Sequence, residues 1–403
     1  MLFIADRHEA PGGAPWSEAA ARAAIDAIVA DACTAFAQAT LWPVHPGELE
    51  PGETTLPGAA SLYHGAGGVI WALERLREAG LAAFELDFGP TVGVLLAHNH
   101  RVDEAPGIGA RSYLLGDAGV LLLQWRQART QAVADALYAL VEGNLDNLTQ
   151  EALWGSPGTL VAALHMAESS DDARWPALFR TGAEVLFAQM HTAPGQGDVW
   201  VWTQNLYGRR DVHLGAGHGF AGNVYPFLRG ARWLPDDLVD EVEARALRTL
   251  EVSAQREDGA ANWEPYFDLA AAKVPSKRLM QDCHGAPGIV CRLAAARSPA
   301  LRALLLEGAE AVWRAGPLSK GPGLCHGTAG NGYALLKAFA MTGEAHWLDR
   351  ARAFAMHAAA QVAQAQRTHG GGRHSLWTGD LGVALLLASC VGGDADFPTL
   401  DRF

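Results

Sequence analysis

The sequence predicts an all-α fold in which seven pairs of helices close into one ring. Three observations carry this. The composition is 49% apolar and 19% charged, with alanine and leucine abundant and the β-branched residues sparse, which favours helix over strand. Six segments show helical periodicity with polar faces: 18–38, 130–145, 172–190, 236–254, 299–314 and 345–364. Between them fall more apolar segments, each opened by a glycine pair spaced G-x-x-G, beginning at Gly65, Gly116, Gly155, Gly219, Gly285, Gly327 and Gly379.

Forty-five glycines in 403 residues would give roughly five such pairs by chance, so the spacing alone is a weak motif. Its context is stronger. Apolar runs follow each pair, for example from Val69, Val120 and Thr159, as expected for buried helices. Histidine stands directly before four of the seven, as His64, His218, His284 and His326. Intervals of 39 to 66 residues between pairs suit two helices plus loops per unit in a divergent repeat array. The apolar helices then form an inner barrel, the amphipathic ones an outer barrel, and the glycine-rich starts crowd one mouth, where backbones approach closely. For the pairs at Gly116, Gly155 and Gly379, simple close helix packing is an equal alternative. Residues 1–403 are expected to form one domain, since a closed ring can hold that length around one core.

The formal charge is −13, spread in short clusters without a basic stripe interleaved with aromatics, so nucleic acid is not an expected partner. Asp6, Arg7, His8 and Glu9 interrupt the apolar start too early for a signal peptide. No window approaches 18 uninterrupted apolar residues, and no transmembrane segment is expected. A cytoplasmic location follows, and five cysteines there point to thiol or metal chemistry or to buried core, not to a disulfide framework. Cys33, Cys291 and Cys390 lie in apolar helical runs and are read as core.

Two inner-helix starts contain the pairs Cys283-His284 and Cys325-His326 in successive repeats. Thiolate and imidazole are ligand types that zinc prefers. A closed structural Cys₂His₂ site is one reading. Against it, the Cys-x₂₋₄-Cys spacing of small zinc modules is missing, and a large core needs no metal to fold. A site assembled from distant helix starts is more often catalytic.

The segments from His218 (HGFAG), Cys283 (CHGAPG) and Cys325 (CHGTAG), with the seven glycine-rich repeats, resemble the LanC-like family of lanthionine synthetase cyclases and their eukaryotic-type relatives. The resemblance covers nearly the whole chain. It implies an (α/α)₇ double toroid and a zinc ion held by Cys283, Cys325 and His326, with a fourth position open. It also implies a reaction: addition of a thiol, from a peptide cysteine or glutathione, to dehydroalanine or dehydrobutyrine in a peptide or protein, forming a thioether. His218 is then the catalytic acid or base that protonates the enolate, and Glu151, four residues before Gly155, is a second candidate. His284 is expected in the cavity, contacting substrate and not zinc. His284 and Lys320 bring the chain closer to the eukaryotic-type members, where a lysine could meet a glutathione carboxylate. Asp282 departs from either group and bears on the substrate, while Arg373 and Arg278 are possible anion contacts. The segment 256–263 resembles a family segment that precedes the first zinc cysteine, and it is expected to line the cavity. Two other readings remain: a zinc-containing module that binds a thiol or peptide without turnover, and a toroidal glycosidase, for which the Cys-His pairs have no role.

Overall fold

The computed structural model describes residues 1–49, 58–102 and 107–403. Its α-helices are, in chain order, α1 (Glu18–Ala35), α2 (Ala66–Glu78), α3 (Gly89–Val102), α4 (Asp117–Ala128), α5 (Gln131–Glu142), α6 (Ser156–Ser169), α7 (Arg174–Ala188), α8 (Phe220–Arg229), α9 (Asp236–Ser253), α10 (Leu269–Ala272), α11 (Ala286–Leu293), α12 (Pro299–Ala315), α13 (Thr328–Thr342), α14 (Ala345–His369) and α15 (Asp380–Gly392). All seven predicted glycines, Gly65 to Gly379, are the N-cap residues of α2, α4, α6, α8, α11, α13 and α15. These seven helices touch one another in that order, and α15 closes back onto α2.

An outer helix backs each inner one: α3 on α2, α5 on α4, α7 on α6, α9 on α8, α12 on α11, α14 on α13, and α1 on α15. The first helix of the chain thus seals the last unit, giving the (α/α)₇ double toroid. Residue patterning explains the two layers. In α6 every residue from Ser156 to Met166 is buried, as a helix enclosed on all sides requires, whereas α1 buries only the stripe Ala21, Ile25, Ile28, Val29 and Ala32.

The glycine spacing has a steric cause. A Cβ on the second glycine of each pair would sit less than 3.0 Å from a carbonyl oxygen of the turn before the helix, Asp282 O in the case of Gly288. The turn can fold back onto the helix only because that glycine has no side chain. Gly285 also takes φ +97°, open to few other residues.

Sequence periodicity missed α3, and it missed three antiparallel hairpins: β1 (His191–Ala193) with β2 (Gln196–Val201), β3 (Gln204–Leu206) with β4 (Arg209–Asp211), and β5 (Ala254–Glu257) with β6 (Ala260–Trp263). The last two turn at Tyr207-Gly208 and Asp258-Gly259, both residues of each having positive φ, the turn type that matches strand twist. At the far end of the ring the C-terminal residues fill the bore. Thr399 O accepts from Tyr113 and His165, and the Phe403 ring packs by Trp71, Tyr113 and His165. Among the described residues no helix is long and apolar enough to cross a membrane.

Candidate metal centre and its cavity

A belt of six backbone hydrogen bonds runs around the mouth from Leu153 to Leu114. It joins the residues standing two before each N-cap glycine: Leu153 N donates to Gly217 O, Gly217 N to Cys283 O, Cys283 N to Cys325 O, Cys325 N to Trp377 O, Trp377 N to Tyr63 O, and Tyr63 N to Leu114 O, at 2.9–3.3 Å. All seven of these residues line one cavity of about 190 Å³. Cys283 and Cys325 are therefore adjacent members of the belt, although 42 residues separate them in the sequence.

The Cys283 and Cys325 sulfurs and a ring nitrogen of His326 all lie within 4.8 Å of one another, and no other His, Cys, Asp or Glu group does so among the described residues. The two thiols are coupled. Contact with Cys325, and to a lesser degree the Gln281 amide 2.9 Å from its sulfur, holds Cys283 below the ordinary thiol range, while Cys283 and burial push Cys325 well above it. Burial, with Lys320 and Arg373 adding their charge, brings His326 down to about 4, so its imidazole is neutral near pH 7. Two soft sulfurs and a neutral imidazole, converging from two helix starts, fit a zinc ion. His284 lines the same cavity but is outside this group.

His218 lines the same cavity, and its Nδ1 lies 2.9 Å from Oε2 of Glu151. Glu151 is wholly buried and not a solvated carboxylate; it also accepts from the backbone amides of Leu153 and Trp154. Burial lowers the His218 pKa, but the hydrogen bond and charge of Glu151 outweigh it, and the net shift is upward. His284 goes the other way, to about 3, through burial and the charges of His218, His213 and Lys277. His213, which sequence reasoning missed, completes a histidine cluster with ring centroids 5.9–6.3 Å apart.

The chain belongs to the lanthionine synthetase C-like family. That family's model matches residues 57–401. Among curated relatives, "Glutathione S-transferase LANCL1" of Danio rerio is 26% identical over 60% of this chain and 62% of its own length. "LanC-like protein GCL1" of Arabidopsis thaliana is 27% identical over 66% of this chain and 57% of its own. The match thus spans less than two thirds of either relative. Of solved structures, nisin cyclase shares the fold at a TM-score of 0.60, with 16% identity over 82% of this chain and 88% of that one.

The remaining predicted residues of this LanC-like chain fall in three places. Asp282 lines the cavity, but its Oδ2 is held 2.7 Å from Arg292, and both side chains are almost fully buried. Arg292 was not foreseen, though a charge inside the apolar run of α11 was its signal. Arg373 lines a second cavity of about 410 Å³ on the other side of His326, where Glu48 binds it at 2.7 Å. Lys320 is exposed and lines neither cavity, acting on His326 through its charge. Arg278 is half-buried, with its backbone N–H directed to Glu264. Segment 256–263 does not line the cavity: Asn262 accepts from Ala286 N and donates to Leu279 O, pinning the start of α11. Cys291 and Cys390 are buried as expected, and Cys33 is half-buried.

Proposed function

We propose that this LanC-like toroid acts as one catalytic unit that adds a thiol, from glutathione or a peptide cysteine, to dehydroalanine or dehydrobutyrine in a peptide or protein, forming a thioether. One observation carries the reading: a single 190 Å³ cavity is lined both by a two-thiol, one-imidazole cluster and by an imidazole hydrogen-bonded to a buried carboxylate. Cys283, Cys325 and His326 would hold zinc, which when bound lowers the pKa of an incoming thiol so that the thiolate predominates near neutral pH.

The sulfur forms its bond to Cβ of the acceptor, and the π electrons move to Cα and the carbonyl oxygen. His218, whose pKa Glu151 raises, delivers a proton to Cα, and the proton lost by the thiol is returned through solvent to the imidazole. His284, neutral near pH 7, offers an N–H to the enolate oxygen. Lys320 and Arg373, whose charges act on His326, would be the groups to meet a carboxylate of the thiol donor. Asp282, engaged by Arg292, lines this cavity and would border the acceptor. The name of the Danio rerio relative favours glutathione as donor.

The test is mass spectrometry of a dehydroalanine peptide incubated with each thiol against the uncatalysed background. His218→Ala should keep the metal and lose about 10² to 10⁴ in rate. No acceleration with any thiol would leave a binding module as the better reading.

A further inference from the structure

Six of the seven repeats carry an apolar or aromatic residue three places before the N-cap glycine: Leu62, Tyr113, Ala152, Ala216, Leu324 and Leu376. The fifth carries Asp282. Seven places after the same glycine the contrast recurs, with Ala72, Leu123, Ala162, Pro226, Ala334 and Leu386 in six units and Arg292 in the fifth. One unit of the ring has thus exchanged two apolar positions for opposite charges. The two side chains bond each other, with Asp282 Oδ2 2.7 Å from Arg292 Nη2.

Packing does not explain the exchange. Both side chains are more than nine-tenths buried. Taking two charges out of water costs about as much as their attraction returns, so the apolar solution of the other six units holds a core as well or better. The pair also leaves hydrogen-bonding capacity unused. Asp282 Oδ1 and Arg292 Nη1 are buried and have no hydrogen-bond partner among the described residues. Native structures keep few such atoms without a ligand, ion or water to serve them. The pair is nonetheless firmly seated. A Cβ on Gly288 would lie 1.7 Å from Asp282 O, one on Gly330 would lie 3.1 Å from Asp282 Cβ, and the Arg292 guanidinium carbon stands 4.5 Å from the centroid of the Phe397 ring.

Both residues line the 190 Å³ cavity that His218, Cys283, Cys325 and His326 also line. One free acceptor atom and one free N–H, in a pair whose charges cancel, complement a neutral amide. A carboxylate would meet repulsion from the Asp282 oxygen, and an ammonium group from the Arg292 nitrogen. A peptide backbone supplies an N–H and a C=O in nearly every residue, and Leu114, Val161 and Leu400 in the same cavity suit the apolar remainder of a small residue.

We propose that the Asp282–Arg292 pair recognises the backbone of the acceptor, Asp282 Oδ1 accepting an amide N–H and Arg292 Nη1 donating to a carbonyl oxygen. The substrate class is then a dehydroamino acid inside a peptide chain, flanked by amides, and not one with a free carboxylate. The inference rests on the reading of this cavity as the acceptor's place, but recognition of the amide does not depend on turnover.

The experiment uses the full chain as purified and three fluorescent peptides in which alanine replaces dehydroalanine, with anisotropy as the readout. The first has every backbone amide intact, the second has an ester in place of the alanine N–H, and the third has an ester in place of the next residue's N–H. One of the two esters should bind at least tenfold more weakly, the loss of a hydrogen bond to a charged group. The double variant Asp282→Leu, Arg292→Met should melt no lower than the wild type, bind the amide peptide at least tenfold more weakly, and no longer distinguish it from the esters. Equal binding of all three peptides by the wild type overturns the proposal and assigns the two orphaned atoms to ordered water. So does an ester penalty that persists in the double variant. A double variant that melts lower yet binds as the wild type does would make the pair part of the scaffold, and overturns it too. The ester penalty as expected, but with no thioether formed from the dehydroalanine peptide and any thiol, would reject the reaction and leave the amide recognition standing.

Discussion

Replacing Glu151 by glutamine isolates the group that raises the His218 pKa. The carboxylate is fully buried and lies 2.9 Å from His218 Nδ1, whose own side chain is 20% exposed, so solvent screens the pair weakly. Burial by itself pulls the imidazole below its ordinary 6.5, and Glu151 reverses the sign. A hydrogen bond to a charged group contributes about 1.5–3 kcal/mol, and one pKa unit corresponds to about 1.4 kcal/mol. In Glu151→Gln the His218 midpoint should therefore drop, ending below the ordinary value because the burial that remains is no longer opposed. The stability effect has a definite sign. A folded-state pKa raised above the unfolded one stabilises the fold fully below about pH 6.5 and less as pH rises through the raised value. The variant's deficit in unfolding free energy should thus be largest in acid and shrink toward alkaline pH. Titration of the His218 ring by NMR, with thermal unfolding on both sides of neutrality, measures both effects. A midpoint unmoved by the substitution would refute the assignment of Glu151 as the charge partner.

Elemental analysis of protein purified without chelator should find about one zinc per chain, and Cys325→Ala should lose most of it while the helical circular dichroism signal largely survives; a metal-free wild type would remove the basis of the proposed reaction. His284→Ala should retain the zinc, since its ring stands outside the ligand cluster, whereas metal loss equal to that of His326→Ala would indicate a closed four-ligand site. Gly288→Ala should lower the melting temperature and weaken metal binding together, because its Cβ overlaps the carbonyl of Asp282, next to Cys283. Gly93→Ala, inside α3 with nothing within 4 Å of the added Cβ, should instead stabilise by about 0.5–1 kcal/mol in denaturant titration.

What sequence reading could reach follows from where the information is local. The seven glycine starts were legible because each one is needed by its own turn and helix, and the two Cys-His pairs because they sit on those starts. Helix α3 escaped because it opens with Gly89-Pro90 and carries Gly93, which dilute its periodicity. The Glu151–His218 bond joins residues 67 apart, and only the curvature of the ring brings them together. The Asp282–Arg292 pair was hidden for a related reason. A charged residue in an apolar run has no visible partner until α11 is seated against its own preceding turn. The second cavity beside His326 likewise forms between segments from opposite ends of the chain, such as Trp42 and Arg373.

The hydrogen-bonded belt at the mouth makes the candidate site independent of the length of the loops around it. Registration of Cys283 on Cys325 is achieved by one amide-to-carbonyl link, so the intervening chain can lengthen without moving either sulfur. The two longest intervals between glycine starts, 64 and 66 residues, are where β1–β4 and β5–β6 have been inserted, and Gly217 and Cys283 keep their places in the belt regardless. Growth of the outer loops can thus reshape what enters the mouth while the chemistry below is conserved by backbone geometry alone. Diversification of partners on such a ring needs no compensating change at the Cys-His cluster.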